Sequence, residues 1–209
     1  MLRKLLAFAG LIVICAPTFG AVQAKLTDFH AVDESIVLKN DDFNEAGGAA
    51  AVQLGFVSGE KAGVWLKVPE NIALFKVDAF RVLFTAGDAK TDNQIFFQMG
   101  ISDTYSTGIP AQIENAAQLT AGPYWNDIPA QGAETQLGCA KGGQLIGAAL
   151  EFTHSGAPSV ARDTNGISNA KANVLMAIPG GWNYSASYGL TGDWILRVVG
   201  HPATPEECK

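Results

Sequence analysis

The stretch Asp163-Thr164-Asn165-Gly166 has the residue types of a calcium loop. Ca²⁺ takes several oxygen ligands, often from Asp and Asn alternating on a tight loop, with Gly allowing the bend. Asp163 and Asn165 match the opening of such a loop, but an EF-hand also needs another Asp or Asn before the Gly and a closing Glu, which the sequence lacks. Asn-Gly is equally a strong hairpin signal. We therefore favour a turn between two strands, with structural calcium at Asp163 and Asn165 as the alternative, which the oxygen-rich stretch 41–45 keeps open.

Two aromatic stretches have the composition of a sugar-binding surface, in which aromatic faces stack on apolar ring hydrogens and polar groups bind hydroxyls. In GGWNYSASYG the alternation puts Trp182, Tyr184 and Tyr188 on one side of a strand, and in GPYWND we expect Tyr124 and Trp125 in a loop, with Trp125 exposed. The candidate ligand-binding residues are Trp125, Tyr124, Trp182, Tyr184 and Tyr188. For this strand, simple patterning favours the alternative that Trp182, Tyr184 and Tyr188 face the core while the polar side faces water. Trp194, which begins an apolar strand, is assigned to the core.

Catalytic motifs are missing from the sequence, which has no Gly-x-Ser-x-Gly elbow, His-Glu-x-x-His pair or phosphate-binding loop. Of the three histidines, His30 and His201 fall near chain ends, which are usually loosely held, and His154 follows a strand. Glu151 is the best single acid, although the period of its strand places it on the polar face. We expect a protein without catalytic activity that requires no cofactor.

The elements that must position these residues are strands. In NQIFFQMGIS and QLIGAALEFTH the apolar residues recur with period 2, the pattern of half-buried strands. In ALFKVDAFRVLFTAG the phase changes between Val77 and Phe80, which predicts a bulge or a strand that bends between sheets. Only Ile109–Leu119 suits a helical turn or two. Eight or more strands separated by Gly, Pro, Asn and Asp turns predict an all-β fold, an antiparallel β-sandwich of jelly-roll-like type.

The first 24 residues have the basic start, apolar stretch and small-residue end of a secretory signal peptide. We therefore expect residues 25–209 to form a single β-sandwich domain that is secreted, periplasmic or extracellular. No later apolar run is long enough for a membrane span, and a net charge of −6 without a basic cluster argues against nucleic-acid binding. Cys15 leaves with the leader, so in an oxidising compartment Cys139 and Cys208 are expected to form a disulfide.

The C-terminal run ARDTNGIS…GGWNYSASYGLTGDWILRVVG resembles the closing segments of galactose-binding-like jelly-roll modules of secreted bacterial proteins. The strand Gly192–Arg197 carries most of the resemblance, and GFVSGEKAGVWLKVPE and FKVDAFRVLF fit the same layout. The resemblance implies a non-catalytic module, often stabilised by calcium, that binds glycans or proteins at or beyond the cell surface.

The sequence therefore predicts an exported, non-catalytic binding module whose leading ligand is extracellular or envelope carbohydrate. The alternatives are a structural or assembly protein of the cell surface that acts through protein contacts and, third, a polysaccharide-active enzyme on the same scaffold. Exposed aromatics on one sheet would favour the first, an uncovered edge strand or apolar patch the second, and a cleft with two facing acids the third.

Overall fold

The computed structural model describes residues 23–24, 35–46, 48–85, 92–122, 124–130 and 137–209, with residues 23–24 and 92–95 described in their backbone alone. The predicted signal peptide, apart from its last two residues, and His30 lie outside the described residues. The structure is all-β. Its strands, in chain order, are β1 (Gln23–Ala24), β2 (Ile36–Leu38), β3 (Ala50–Val52), β4 (Lys61–Lys67), β5 (Leu74–Thr85), β6 (Asp92–Ser102), β7 (Ile113–Thr120), β8 (Tyr124–Pro129), β9 (Ala140–Lys141), β10 (Leu145–Glu151), β11 (Ser159–Asp163), β12 (Asn173–Ala177), β13 (Gly181–Tyr184) and β14 (Leu196–Pro202), with a 3₁₀ helix at Ser185–Tyr188.

These strands form two packed sheets. Sheet 1 contains β1, β2, β3, β5, β8, β9, β11 and β14, and sheet 2 has the order β13-β12-β4-β10-β6-β7. Between β3 and β11 the chain repeatedly crosses from one sheet to the other, which gives the orders β3-β11-β5-β8 and β4-β10-β6-β7. Eight strands connected in this way make the double Greek key of a jelly roll. The hairpin β12–β13 widens sheet 2, and β14 pairs with the part of β5 that β11 leaves free.

The core between the sheets confirms the alternation read from the sequence. Phe97 and Met99 of β6, and Ile146, Ala148 and Leu150 of β10, belong to one buried apolar cluster. Both strands therefore turn one face to the opposite sheet, and Glu151 points to the other side as expected. Trp194 is buried in the same cluster, as predicted.

The phase change in β5 is a β-bulge, as the sequence predicted. Val199 of β14 pairs with Ala79, but Gly200, the next residue, pairs with Val77, which leaves Asp78 as the extra residue on β5. An extra residue moves the following side chains to the other face of a strand. The apolar residues on both sides of Asp78, from Phe75 to Phe84, consequently face the same core.

Two local predictions were wrong. The stretch suited to a helical turn contains most of the strand β7, and Tyr124 and Trp125 lie in β8 and not in a loop. In both cases tertiary pairing outweighed a local preference. The Asn165-Gly166 turn lies between the strands β11 and β12, which belong to different sheets, so it connects the two sheets and does not close a hairpin.

The predicted disulfide is present between Cys139 and Cys208, which are 69 residues apart in the chain. Both ends lie beside the start of β5: Ala140 pairs with Phe75, and Ala203 donates its N–H to the carbonyl of Leu74. The disulfide thus holds together two segments that flank one strand. None of the helices in the described part of the chain has the length and apolar character needed to cross a membrane.

Candidate functional site

The outer face of sheet 1 is closed by a segment of the chain itself. Arg197 of β14 binds the carboxylate of Asp41 through Nε (3.0 Å) and Nη2 (2.6 Å) and lies 4.5 Å from the centroid of the Trp125 ring. Phe43 meets the same ring edge-on, at 6.5 Å between centroids. Trp125 is only 2% exposed. The prediction that Trp125 is an exposed, sugar-stacking aromatic is therefore wrong, because residues 41–43 cover it.

The outer face of sheet 2 is covered over only part of its area. The loop 103–112 between β6 and β7 lies on it, where Trp65 donates its Nε1–H to the carbonyl of Ser106 at 2.9 Å. A side chain at Gly147 would come within 2.7 Å of Trp65 and 2.9 Å of Ile109, so this glycine lets the loop approach the sheet. Trp65 and Ile109 belong to a separate apolar cluster on this face.

Beside the loop, one row of paired residues crosses all six strands of sheet 2. The backbone pairs run from β13 to β7 without interruption. The residues of this row, which we call the outer strip, are Trp182, Met176, Lys61, Glu151, Phe96 and Ala116. At a strand spacing of about 4.8 Å, Trp182 and Phe96 are about 19 Å apart across the sheet. The strip thus has an aromatic side chain near each end.

The middle of the outer strip is polar. Lys61 forms an ion pair with Glu151, at 2.8 Å between Nζ and Oε2, and also donates to the amide oxygen of Gln98. Gln98 in turn donates from Nε2 to the carbonyl of Ile109 at 2.7 Å, which ties the network to the loop. The side chains of Lys61 and Glu151 keep 14% and 26% exposure, so solvent reaches both groups. They can exchange hydrogen bonds with a ligand lying on the strip.

Trp182 is held by the edge of the loop. A side chain at Gly108 would lie 3.2 Å from the Trp182 ring, so the loop backbone passes directly beside the indole. The ring remains partly exposed, whereas Trp65, Trp125 and Trp194 are each 2% exposed or less. Trp182 is therefore the one tryptophan among the four that a ligand can reach.

The five predicted ligand-binding aromatics do not form one site. Trp182 and Tyr184 share the outer face of sheet 2, where both contact the cluster under the loop. The strand ends at Tyr184, and Tyr188, in the 3₁₀ helix that follows, packs against the main core. Tyr124 lies in sheet 1 with Trp125. The predicted alternation beyond Tyr184 is wrong because the chain turns into a 3₁₀ helix, whose buried Ser185 accepts the indole N–H of Trp194.

The sequence reasoning missed Phe96, Lys61 and Met176 as site residues. The signal for Phe96 was available, because the period of β6 puts Phe97 and Met99 in the core and Phe96 outside. Phe96 is 37% exposed, and it points to a contact surface because it shares one row with Trp182 and Met176 and is not isolated.

Asp163 lies where three segments of the chain meet. Its carboxylate accepts the backbone N–H of Asp193 at 2.8 Å and that of Asp42 at 3.0 Å. The amide of Asn165, oriented to donate, reaches both oxygens of the same carboxylate at 3.0 Å. Burial raises the pKa of Asp163, and the two backbone donors oppose this shift. The turn is thus completed by hydrogen bonds.

A calcium ion at this turn would need more oxygen ligands than the surrounding side chains provide. With its oxygen facing inward, Asn165 would add one oxygen atom to the two of Asp163, and Oδ2 of Asp42 lies 3.4 Å from the Asn165 amide nitrogen; these are fewer than the six to eight oxygen ligands that Ca²⁺ takes. Across the described ranges, no three His, Cys, Asp or Glu side chains are grouped so as to hold a metal ion. The side chains described here do not complete a calcium shell, and calcium at Asp163 and Asn165 stays a prediction.

The histidines of the described residues take part in structural contacts. His201 lies within β14, with Nδ1 2.7 Å from the Asp78 carboxylate at the bulge, so the expectation that it belongs to a loosely held tail is wrong. His154 lies edge-on to the rings of Phe84 and Phe152, with Nε2 2.8 Å from the carbonyl of Pro158. His201 thus links β14 to the bulge of β5, and His154 contacts the segment that leads into β11.

Compared with known proteins, the chain matches no protein-family model, and no curated protein or solved structure is significantly similar to it.

Proposed function

We propose that the protein is an exported, non-catalytic module that binds extracellular or envelope carbohydrate along the outer strip. The observation that carries the proposal is the single paired row from Trp182 to Phe96, with aromatic ends and a polar, solvent-reached centre. A sugar chain laid across the strands would stack on the aromatic side chains and exchange hydrogen bonds with Lys61 and Glu151.

Electrostatics favour a neutral glycan over an acidic one. The chain is acidic overall, and the one cation of the strip, Lys61, is already paired with Glu151. An added carboxylate or sulfate would meet this paired, largely neutralised centre and would lose its own hydration. The disulfide between Cys139 and Cys208 agrees with export to an oxidising compartment.

Glu151 is also the acid that a glycosidase on this face would use. Such enzymes need two carboxyl groups on either side of the scissile bond, one of them protonated. Glu151 instead forms an ion pair with Lys61, at 2.8 Å between Nζ and Oε2, and its oxygens can accept hydrogen bonds from the hydroxyls of a bound sugar. We therefore place the enzyme hypothesis behind binding.

Intrinsic fluorescence tests the proposal, because Trp182 is the tryptophan that a ligand can reach. Titrating neutral polysaccharides into the protein is expected to give a saturable change in emission. W182A should weaken binding on the order of tenfold or more, since large aromatic side chains carry much of the energy of such interfaces. Y124A removes a partly exposed aromatic from the other sheet and should leave affinity unchanged. Binding that survives W182A, or a panel without any binder, would contradict the proposal.

The second candidate is a surface protein that acts through protein contacts. It is favoured by exposed apolar side chains near the strip, Ile178 (54%) and Val57 (42%), whose backbone N–H groups are both bound by the Glu60 carboxylate. Apolar residues fixed at the surface in this way suit a protein partner better than a sugar. A panel without glycan binders, together with a partner whose capture is lost in I178D, would favour this candidate.

A further inference from the structure

The strand β7 is an edge strand without the usual protection. It pairs with β6 over eight consecutive residues without a register shift, and with no other strand among those the structure describes. An edge presents unpaired N–H and C=O groups, and natural proteins protect it with Lys, Pro, a bulge or a short length. The strand, IENAAQLT, has no Lys, no Pro and no bulge. At its end the side-chain amide of Asn126 binds the backbone N–H and C=O of Thr120, so Thr120 is not available for further pairing.

The other edges differ from β7. β13, at the opposite edge of sheet 2, has four residues and continues directly into the 3₁₀ helix. β3, at the end of sheet 1, has three residues, and β8 is paired with β1. In the described part of the chain, β7 is thus the longest edge open to pairing.

We propose that β7 pairs with β7 of a second copy of the chain, antiparallel, about a two-fold axis at Ala116. When two copies of β7 pair, residues on the outer face of one strand must lie opposite residues on the outer face of the other. Even-numbered residues therefore pair with even-numbered residues, and odd-numbered with odd-numbered. With the axis at Ala116, the outer face has Ala116 opposite itself and Glu114 opposite Gln118. No like charges face each other, and each carboxylate meets an amide that can donate to it.

The inner face supports the same register. Ile113 and Leu119, which are buried in each copy, lie opposite each other across the axis, so the apolar core continues from one copy into the next. Moving the axis to Ala117 would instead place Asn115 opposite Leu119. Pairing a polar with an apolar residue at the edge of the core is less favourable. The sequence of β7 therefore selects Ala116.

The dimer would join the two outer strips. Ala116 is the last residue of the row that begins at Trp182, so the row of one copy would continue into that of the other across a twelve-stranded sheet. Two strips in line would bind one long chain with higher avidity. This consequence rests on the proposed function, whereas the dimer itself does not.

Two lysine substitutions on β7 test the pairing by sedimentation equilibrium of the full protein. Ala116 and Gln118 are both exposed and on the same face, so either change should leave the fold of the single copy unaltered, which far-ultraviolet circular dichroism checks. A116K puts two ammonium groups opposite each other and should weaken association about threefold or more, whereas Q118K faces Glu114 in both halves and should preserve or strengthen it. A monomeric wild-type protein, or equal effects of the two variants, would overturn the proposal.

A single cysteine then reports the register. Residue 116 lies opposite its own copy, with Cβ atoms roughly 5 Å apart, so A116C should form an intermolecular disulfide under mild oxidation. The two copies of residue 118 are offset by four residues, about 14 Å along the strand, so Q118C should not. Failure of A116C to cross-link, or equal cross-linking of Q118C, would reject the axis at Ala116, whether or not the protein binds a glycan.

Discussion

At the scale of single residues, two tryptophans of similar sequence context have opposite environments. Trp125 is sealed under Arg197 and Phe43, whereas Trp182 stays within reach of solvent beside Gly108. The seal over Trp125 is strong because the guanidinium of Arg197 is bidentate to Asp41 and both side chains are buried. Arg197 also pairs with Glu45, so removing Asp41 would leave it one partner, whereas removing Arg197 would leave the buried Asp41 carboxylate without its counter-charge.

Asp163 gives the protein a pH dependence with a definite sign. Because burial raises its pKa in the folded state, the folded protein holds the proton more strongly than the unfolded chain does. The stabilisation from this group is fully present below the unfolded pKa, about 3.9, and is lost as the pH rises through the folded pKa.

As the pH rises above about 4, we expect the free energy of unfolding of the wild type to fall relative to that of D163N. Asn does not titrate, so its own cost of replacing an acceptor stays constant over the range. Urea denaturation at a series of pH values measures the difference. A pH-independent difference, or one that grows with pH, would show that the Asp163 pKa is not raised.

At the scale of elements, glycines decide which surface is covered. The loop 103–112 can lie on sheet 2 because Gly147, Gly63 and Gly100 present no side chain to Ile109 and Pro110. Since Gln98 and Trp65 bond the loop backbone, its position also fixes one border of the outer strip. Close packing of a loop on a sheet thus shapes the candidate site.

G147A is expected to destabilise the protein by about 1–3 kcal/mol, because its Cβ would force Trp65 and Ile109 out of position. The matched control is G138A, since a Cβ at Gly138 meets nothing within 4 Å. Urea denaturation compares the two variants. Equal stability of both would show that the loop does not lie against the sheet at this point.

At the scale of the whole molecule, the disulfide connects distant parts of the chain. It joins the segment before β9 to the C-terminal tail, and both are already placed beside the start of β5 by backbone pairing. Because the pairing holds the ends together, removing the disulfide should lower stability without changing the fold.

Replacing both cysteines by serine is expected to lower the free energy of unfolding by up to about 4 kcal/mol, from the entropy of closing a loop of 69 residues in the unfolded chain. Chemical denaturation measures the loss, and an unchanged far-ultraviolet circular dichroism spectrum shows that the sandwich remains. Wild type in reductant should match the double variant. A loss of native structure at low denaturant would mean that the disulfide holds the fold itself.

The sequence alone determined the properties that are local to a strand or to the composition. Successive side chains of a strand point to opposite faces, so the apolar alternation of β6 and β10 predicted their buried sides, and the phase change in β5 predicted the bulge at Asp78. The two cysteines that lie outside the predicted leader predicted their disulfide. The all-β sandwich followed from the number and spacing of such strands.

Only the tertiary structure decided which outward face stays open. Residues 41–43 cover Trp125 from more than 80 positions away in the chain, and the row from Trp182 to Phe96 combines five strands that are scattered along it. Registers between distant strands and the placement of covering loops depend on packing across the whole molecule, which no local period records. For that physical reason the aromatic residues could be named from the sequence, but the surface they form could not.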